Sequence, residues 1–272
     1  MIANKFDTVK EILSQHSEHK HNMLSWRFSN EGLPEFGIPG ESSILHIAMM
    51  LAGPRVIVEL LSKGADVHIV DNMGNDPLMM ASVFNRVSNM RVWFENVTEW
   101  NVDRRNKRFG STALHFAVYL GPRKLDCVRY LIEERGADVE ISNKSGTSAL
   151  ILACGNEDSD PKVVRYLLEQ DCIDVNRQIK SQTSKWKLLR AAARLGVRSK
   201  LSRSKLLKRV AESGGLTALH YAARRGDVEI VELLMEHGAN PTVKNDLGRD
   251  VLSYCDAFPE IRGAIKRVQM EE

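Results

Sequence analysis

The chain has 272 residues, 43% of them hydrophobic, and its 38 Lys and Arg residues against 35 Asp and Glu residues give a net charge of +3. No apolar run reaches about 18 residues and the chain does not begin with an apolar segment, so we expect neither a membrane-spanning helix nor a secretory signal. Four cysteines at wide, irregular spacing argue against a disulfide framework and against a zinc site, and they favour a cytoplasmic or nuclear protein.

A short pattern close to Thr-x-Leu-His returns along the chain. Its copies, two of them decayed, begin at Ser43, Asp76, Thr112, Ser148 and Thr217. An Asp/Asn-Val/Pro pair also recurs, with spacings of 35, 37, 36 and 66 residues between Asp66-Val67 and Asn240-Pro241. The last spacing is twice 33, which predicts one further repeat between Val175 and Pro241. A period near 33 residues indicates a repeat array.

The recurring pattern resembles that of ankyrin repeats, most completely in residues 215–241. Thr217 is placed to cap a first helix, Ala222 and Ala223 are small where two helices approach closely, and Gly238 is placed to end a second helix. The resemblance implies an all-α repeat solenoid in which each unit is a helix-turn-helix followed by a β-hairpin loop.

In chain order, we expect an N-terminal half-repeat cap and linker over residues 1–39, with a helix at Phe6–Leu13, and a capping half repeat over residues 247–272. Six ankyrin repeats should fill residues 40–246 between them. Their boundaries are expected at about 40–72, 73–108, 109–144, 145–180, 181–213 and 214–246.

Repeat five, residues 181–213, is the most irregular unit. Its first helix is expected at Lys187–Gly196 and its second near Ser199–Val210, without the usual cap and histidine. Residues 177–209 contain twelve Lys or Arg residues and no Asp or Glu. Such a segment attracts phosphates, so binding of an anionic polymer or an acidic membrane is the alternative function, and a nuclear-import signal is another reading of it.

No catalytic, cofactor-binding or metal-binding constellation is recognisable, because the chain lacks a phosphate loop, a His-Glu-x-x-His motif, a Gly-x-Ser-x-Gly motif and a Cys-x-x-Cys motif. We therefore expect a protein that is not an enzyme and needs no cofactor. His46, His115 and His220 share one position of the repeat. The resemblance implies that these histidines make hydrogen bonds between neighbouring repeats.

The resemblance also implies an adaptor or scaffold that binds another protein through its hairpin tips and the exposed side of its inner helices. The inner-helix residues are expected to be apolar toward the N-terminus and basic toward the C-terminus, and one hairpin tip is rich in arginine. The expected contact residues are Met50, Phe84, Arg104, Arg105, Arg108, Tyr119, Arg194, Arg224 and Arg225. A peptide with one or two large apolar anchors flanked by acidic residues would suit such a groove.

One modification site is suggested by a second resemblance. Leu168, Asp174, Val175 and Asn176 are similar to the pattern that asparaginyl hydroxylases recognise in ankyrin hairpins. This resemblance implies Asn176 as a hydroxylation site.

Overall fold

The computed structural model describes most of the chain, namely residues 24, 27, 38–119, 125–158, 160–198 and 210–271. The expected N-terminal helix Phe6–Leu13 and nearly all of the expected helix Ser199–Val210 lie outside the described residues. Within the described ranges the elements are helices, and no β-strand is formed. The chain divides into two compact units, residues 1–137 and residues 138–272.

The first unit is built from pairs of short helices. Its described helices are α1 (Ile44–Leu51), α2 (Pro54–Ser62), α3 (Pro77–Val83), α4 (Val87–Asn96), α5 (Ala113–Tyr119) and α6 (Leu125–Arg129), the last continuing into a π-helical turn (Tyr130–Glu134). Helix α3 packs against both α1 and α5, and α2 packs against α4. The first helices of successive pairs therefore lie side by side in one layer, as expected of ankyrin repeats.

Local sequence explains where these helices begin. Pro54 and Pro77 occupy first positions, where the missing N–H costs no hydrogen bond. Ser43 caps α1 in a capping box with His46, and the Asp76 side chain caps α3 by accepting from the N–H of Met79 at 2.9 Å. Each cap satisfies a backbone donor that the helix itself leaves unpaired.

The second unit continues the same construction. Its described elements are α7 (Ala149–Gly155), α8 (Pro161–Leu168), α9 (Ser184–Arg198), α10 (Ala218–Arg225), α11 (Val228–Glu236), a 3₁₀ helix (Val251–Ala257) and α12 (Pro259–Glu271). Helix α10 packs directly on α7, and α11 packs on α8. The 3₁₀ helix and α12 then cover α10 and α11, with Ile261 and Ile265 buried.

The hairpin between α8 and α10 is interrupted at its tip. In the preceding hairpin, the N–H of Asn143 donates to the carbonyl of Thr147 at 3.0 Å. The N–H of Ile179 donates in the same way to the carbonyl of Leu216 at 2.9 Å, and the N–H of Gly215 returns to the carbonyl of Ile179 at 2.9 Å. The two arms of one hairpin are thus joined although they are far apart in sequence.

Residues 180–214 are therefore an insertion at a hairpin tip, and the expectation of a stacked fifth repeat over 181–213 is wrong. The direct contact of α10 with α7 leaves no place for another helix pair between them. The insertion contains α9, which runs from Ser184 to Arg198 and passes the expected end at Gly196. Its length is close to one repeat period, which is why spacing alone suggested a repeat.

None of the helices in the described ranges is both long enough and apolar enough to cross a membrane.

Candidate functional site

The hairpin between α4 and α5 is held in place by a buried amide. The side chain of Asn106 is 2% exposed, and its Oδ1 accepts hydrogen bonds from the N–H groups of Phe109 and Ser111 at 3.2 and 2.8 Å. Its Nδ2 donates to Oδ1 of Asn75, in the preceding hairpin, at 2.8 Å. Because the buried amide atoms of Asn106 have hydrogen-bond partners, the backbone of the hairpin is held rigidly, and its other side chains project from it.

A stack of rings supports the first arginine of this hairpin. The indole of Trp100 packs edge-on against the buried indole of Trp93, with centroids 5.0 Å apart, and stacks on His68 at 5.6 Å. The guanidinium of Arg104 lies 4.9 Å from the Trp100 ring centroid, and its Nη1 is 3.4 Å from Nδ1 of His68. Cation–π contact orients the guanidinium without neutralising its charge.

Four exposed side chains follow Arg104, and together with it they form a surface that we name the basic tip. Its members are Arg104, Arg105, Lys107, Arg108 and Phe109. The guanidinium of Arg108 lies 5.4 Å from the ring centroid of Phe109, which is 36% exposed. In the part of the chain that the structure describes, no salt bridge joins Arg104 or Arg108 to a carboxylate. The tip thus combines positive charge with an accessible aromatic ring.

Met50 is a core residue, and the expectation that it lines a binding groove is wrong. It is 1% exposed, and every residue of α1 from Ile44 to Met50 is buried. A helix whose residues are nearly all apolar is buried on all sides, and its one polar side chain, His46, is hydrogen-bonded. The end of α1 is also covered, since the Asn89 side chain donates from α4 to the carbonyls of Met49 and Ala52, each at 3.0 Å.

The other two apolar positions are accessible. Tyr119, at the end of α5, is 47% exposed, and Phe84, which caps the end of α3, is partly exposed. Because α3 and α5 pack side by side, both aromatic side chains belong to one layer of helix ends in the first unit.

The basic residues expected in the second unit are largely engaged within it. Arg194, which belongs to α9 of the insertion, forms a 2.5 Å ion pair with Asp246 and donates from Nε to the carbonyl of Ala211 at 3.2 Å. The guanidinium of Arg224 lies 5.1 Å from the ring centroid of Tyr221 and is half-buried. Arg194 therefore comes from an inserted helix and not from an inner helix of a repeat, contrary to expectation.

Arg225 acts as a C-terminal cap. Its Nη1 donates to the carbonyl of Cys154 at 3.0 Å, and its Nη2 donates to the carbonyl of Glu157 at 3.1 Å and lies 3.6 Å from Oδ2 of Asp227. A cation at the C-terminus of α7 satisfies carbonyls that the helix leaves unpaired and complements its dipole. The guanidinium is thus committed to the fold, which leaves little of it for a partner.

The side chain of Asn176 is fixed in place by two hydrogen bonds of its amide group. Its Nδ2 donates to the carbonyl of Gly238 at 3.0 Å, and its Oδ1 accepts from the N–H of Asn240 at 2.7 Å. These bonds join the hairpin before the insertion to the hairpin after α11, as expected for directly stacked repeats. Hydroxylation of Asn176 remains a prediction.

The three equivalent histidines are structural. Nδ1 of His46 accepts hydrogen bonds from the Ser43 hydroxyl at 2.8 Å and from the Ser43 N–H at 3.1 Å, so Nε2 is the protonated nitrogen and donates to the carbonyl of Asn75 at 3.0 Å. His220 makes the corresponding contacts with Thr217 and Arg249. Burial lowers the pKa of both imidazoles below the ordinary value, which favours this neutral form.

Cys127 and Cys154 are not activated nucleophiles. All four are free, and burial raises the pKa of the Cys127 thiol to about 12 and raises that of Cys154 as well. Among the described residues, no group of three or more His, Cys, Asp or Glu side chains could hold a metal ion. The lack of catalytic chemistry that the sequence suggested stays an expectation.

Comparison with known proteins identifies the repeats. A family profile described as "Ankyrin repeats (3 copies)" matches residues 92–179, and one described as "Ankyrin repeat" matches residues 41–72 and 214–246. Together these matches cover more than half of the chain, and they leave out residues 180–213, within the insertion.

Among similar curated proteins, the mouse B-cell lymphoma 3 protein homolog is 28% identical over 203 residues, covering 74% of this chain and 37% of that protein. The mouse Ankyrin repeat and SAM domain-containing protein 6 is 33% identical over 131 residues, covering 48% of this chain and 14% of that protein. The alignments thus span little more than a third of these relatives at most. The crystal structure of the ankyrin repeat domain of Bcl-3, described as a unique member of the IkappaB family, matches with a TM-score of 0.58 and 25% identity, covering 84% of this chain and 82% of that chain.

Proposed function

Because the chain belongs to the ankyrin-repeat family, we propose that it is a non-enzymatic adaptor that binds a segment of another protein. Ankyrin repeats are protein-interaction modules, and stacked repeats offer extended surfaces on which many side chains are free of packing duty. The fold alone does not select a partner, so the partner class has to be argued from the surface chemistry of this chain.

The basic tip is the surface that carries the proposal. Its strongest support is the pairing of guanidinium groups with aromatic rings, Arg104 on Trp100 and Arg108 on Phe109, without a salt bridge to either arginine among the described residues. Aromatic rings and arginines are enriched at protein interfaces, because each contributes a large contact area and a directed polar group.

The matching partner is a peptide segment with one or two large apolar anchors flanked by Asp or Glu. Carboxylates would pair with the arginines of the tip, and an apolar side chain would pack on Phe109 or on the exposed ring of Tyr119. Met50 and Arg225 no longer belong to the proposed contact set, because the first is buried and the second caps α7.

A peptide-display screen followed by titration tests the proposal. The purified chain would select from a random library, and the dissociation constant of each selected peptide would be measured for the wild type and for the variant Arg104→Glu/Arg105→Glu/Arg108→Glu. We expect acidic peptides with apolar anchors, bound at least about tenfold more weakly by the variant, because like charges then face each other across the contact.

A charge-matched control separates this contact from net charge. The variant Arg55→Glu/Lys162→Glu/Lys266→Glu changes the same number of exposed cations outside the basic tip. It should bind the selected peptides within about twofold of the wild type at physiological ionic strength, where distant charges are screened. Equal weakening by both variants, or selection of peptides without acidic residues, would overturn the proposal.

A reducing location accompanies this function. The four cysteines are free, three of them are buried, and none is arranged to stabilise an extracellular fold. A cytoplasmic protein, with access to the nucleus, is the location we propose.

A further inference from the structure

Helix α9 lies on the second unit by one face only. Arg190 is 6% exposed and its Nη2 donates to the carbonyl of Ser145, at a hairpin tip, at 2.7 Å. Ala193 is 1% exposed, and Arg194 forms its ion pair with Asp246 at another tip. Trp186, one turn before Arg190, is partly buried on the same side. Trp186, Arg190 and Ala193 follow the i, i+4, i+7 spacing of a single helix face, so this is the docked face of α9.

The opposite face is apolar and faces solvent. Leu188 is 72% exposed and Leu195 is 68% exposed, the highest values among the leucines of the described chain, and the exposed Ala192 lies between them. The three residues again follow i, i+4, i+7 spacing, and they extend over about 10 Å of the helix. We name Leu188, Ala192 and Leu195 the outer stripe. A contiguous outward apolar stripe on a helix that is already docked points to a second contact surface.

Positive charge borders the outer stripe. Lys185 and Lys187 are exposed, and no carboxylate pairs with either of them in the part of the chain that the structure describes. The sequence places no Asp or Glu between Arg177 and Arg209. The occupant of the stripe must therefore offer an apolar layer and negative charge together.

We propose that the outer stripe binds an anionic membrane surface, with α9 lying in the plane of the headgroups. Leu188 and Leu195 enter the boundary between headgroups and acyl chains, while the long stems of Lys185 and Lys187 let their ammonium groups reach lipid phosphates and carboxylates. The ion pair of Arg194 with Asp246 and the buried side chain of Arg190 hold the helix lengthwise on the second unit, so that this unit rests at the surface.

Two observations favour lipid over the other anionic partners. A nucleic acid offers phosphates and stacking surfaces, and the outer stripe contains no aromatic ring on which a base could stack. A protein that binds a helix in a groove needs a channel that matches the shape of the helix. On α9, only the side away from the docked face is accessible to such a groove. A lipid surface needs neither a stacking ring nor a complementary channel. This inference does not depend on peptide binding at the basic tip, which lies in the first unit.

Vesicle flotation with the full chain tests the proposal. The wild type would be mixed with vesicles of phosphatidylcholine alone, and with vesicles that also contain about 30% phosphatidylserine, at about 50 and about 300 mM salt. We expect binding only to the anionic vesicles and a loss of binding at the higher salt. The variants Leu188→Gln/Leu195→Gln and Lys185→Gln/Lys187→Gln should each lower the partition coefficient about tenfold or more.

The variant Val58→Gln/Leu252→Gln is the matched control, because it removes two other exposed apolar side chains. It should bind vesicles like the wild type. All substituted residues are exposed, and unchanged circular dichroism would show that the variants fold. The proposal would be overturned if the wild type did not bind anionic vesicles at low salt, or if the variant Leu188→Gln/Leu195→Gln bound them as well as the wild type. The proposal would also be overturned if the chain captured a single-stranded oligonucleotide or calcium-loaded calmodulin and did not bind anionic vesicles.

Discussion

Asp76 caps helix α3 from a buried position. Burial and the capping hydrogen bond shift the pKa of its carboxyl in opposite directions. Its side chain is 1% exposed and accepts a hydrogen bond from the N–H of Met79 at 2.9 Å. Burial raises the pKa of its carboxyl to about 6 from the ordinary 3.8, although the bond to Met79 opposes the shift. The folded state therefore binds more protons than the unfolded state between about pH 4 and pH 6, and stability falls as pH rises through this window.

The variant Asp76→Asn should remove this pH dependence. Asparagine is an equally good cap and carries no charge to desolvate. We therefore expect the free energy of unfolding of the variant to exceed that of the wild type by about 1 to 3 kcal/mol at pH 7, and to differ little from it near pH 4. Urea unfolding between those pH values, followed by tryptophan fluorescence, measures the difference. A constant difference across the range would contradict the assignment.

At the same scale, contacts that recur in each repeat were predictable from sequence and contacts particular to one site were not. The hydrogen bonds of His46 and His220 to carbonyls of the next repeat were implied by the resemblance, because the two histidines share one position of the repeat. The capping role of Arg225 could not be predicted, because its acceptor at Cys154 is 71 residues away. The burial of Met50 was missed because periodicity identifies the apolar face of a helix and does not say what covers it.

At the scale of elements, α9 depends on one buried arginine. Burial lowers the pKa of the Arg190 guanidinium, its Nε has no hydrogen-bond partner among the described residues, and its Nη2 donates to the carbonyl of Ser145. A buried cation with incomplete partners contributes mainly through the packing of its stem.

We therefore expect α9 to dock less stably on the second unit in the variant Arg190→Ala and to stay docked in the variant Arg190→Met. Hydrogen exchange over Ser184–Arg198 should become at least about tenfold faster in the alanine variant, as for the loss of about 1.4 kcal/mol or more, and should remain near the wild-type rate in the methionine variant. Amides of α11 serve as an internal control in both variants. Equal acceleration in both variants would instead assign the docking to the hydrogen bond with Ser145.

Helix positions in the repeats were largely predictable, since caps and proline starts are local signals. The insertion was not, because a spacing of 66 residues has two explanations that sequence arithmetic cannot separate. Backbone pairing of Ile179 with Gly215 and Leu216 decides between them. The outer stripe was missed for the same reason: within a stacked repeat, leucines at these positions would have been assigned to packing between helices.

At the scale of the whole molecule, the chain carries two candidate surfaces of different chemistry. The basic tip of the first unit suits an acidic peptide, and the insertion of the second unit suits an anionic membrane. Both follow from side chains that packing leaves exposed on loops and insertions, which is where a repeat protein can vary without disturbing its core.

The most direct test of this account is removal of the insertion. Residues 180–214 would be replaced by Lys-Ser, the pair that fills the same place at Lys144 and Ser145 of the preceding hairpin, and hydrogen exchange would be measured in α7 and α10. Because these helices already pack on each other, we expect the shortened chain to fold, to keep their protection and its binding of peptides, and to lose binding to anionic vesicles. Loss of protection in both helices would show that residues 181–213 form a stacked repeat, and would contradict the account.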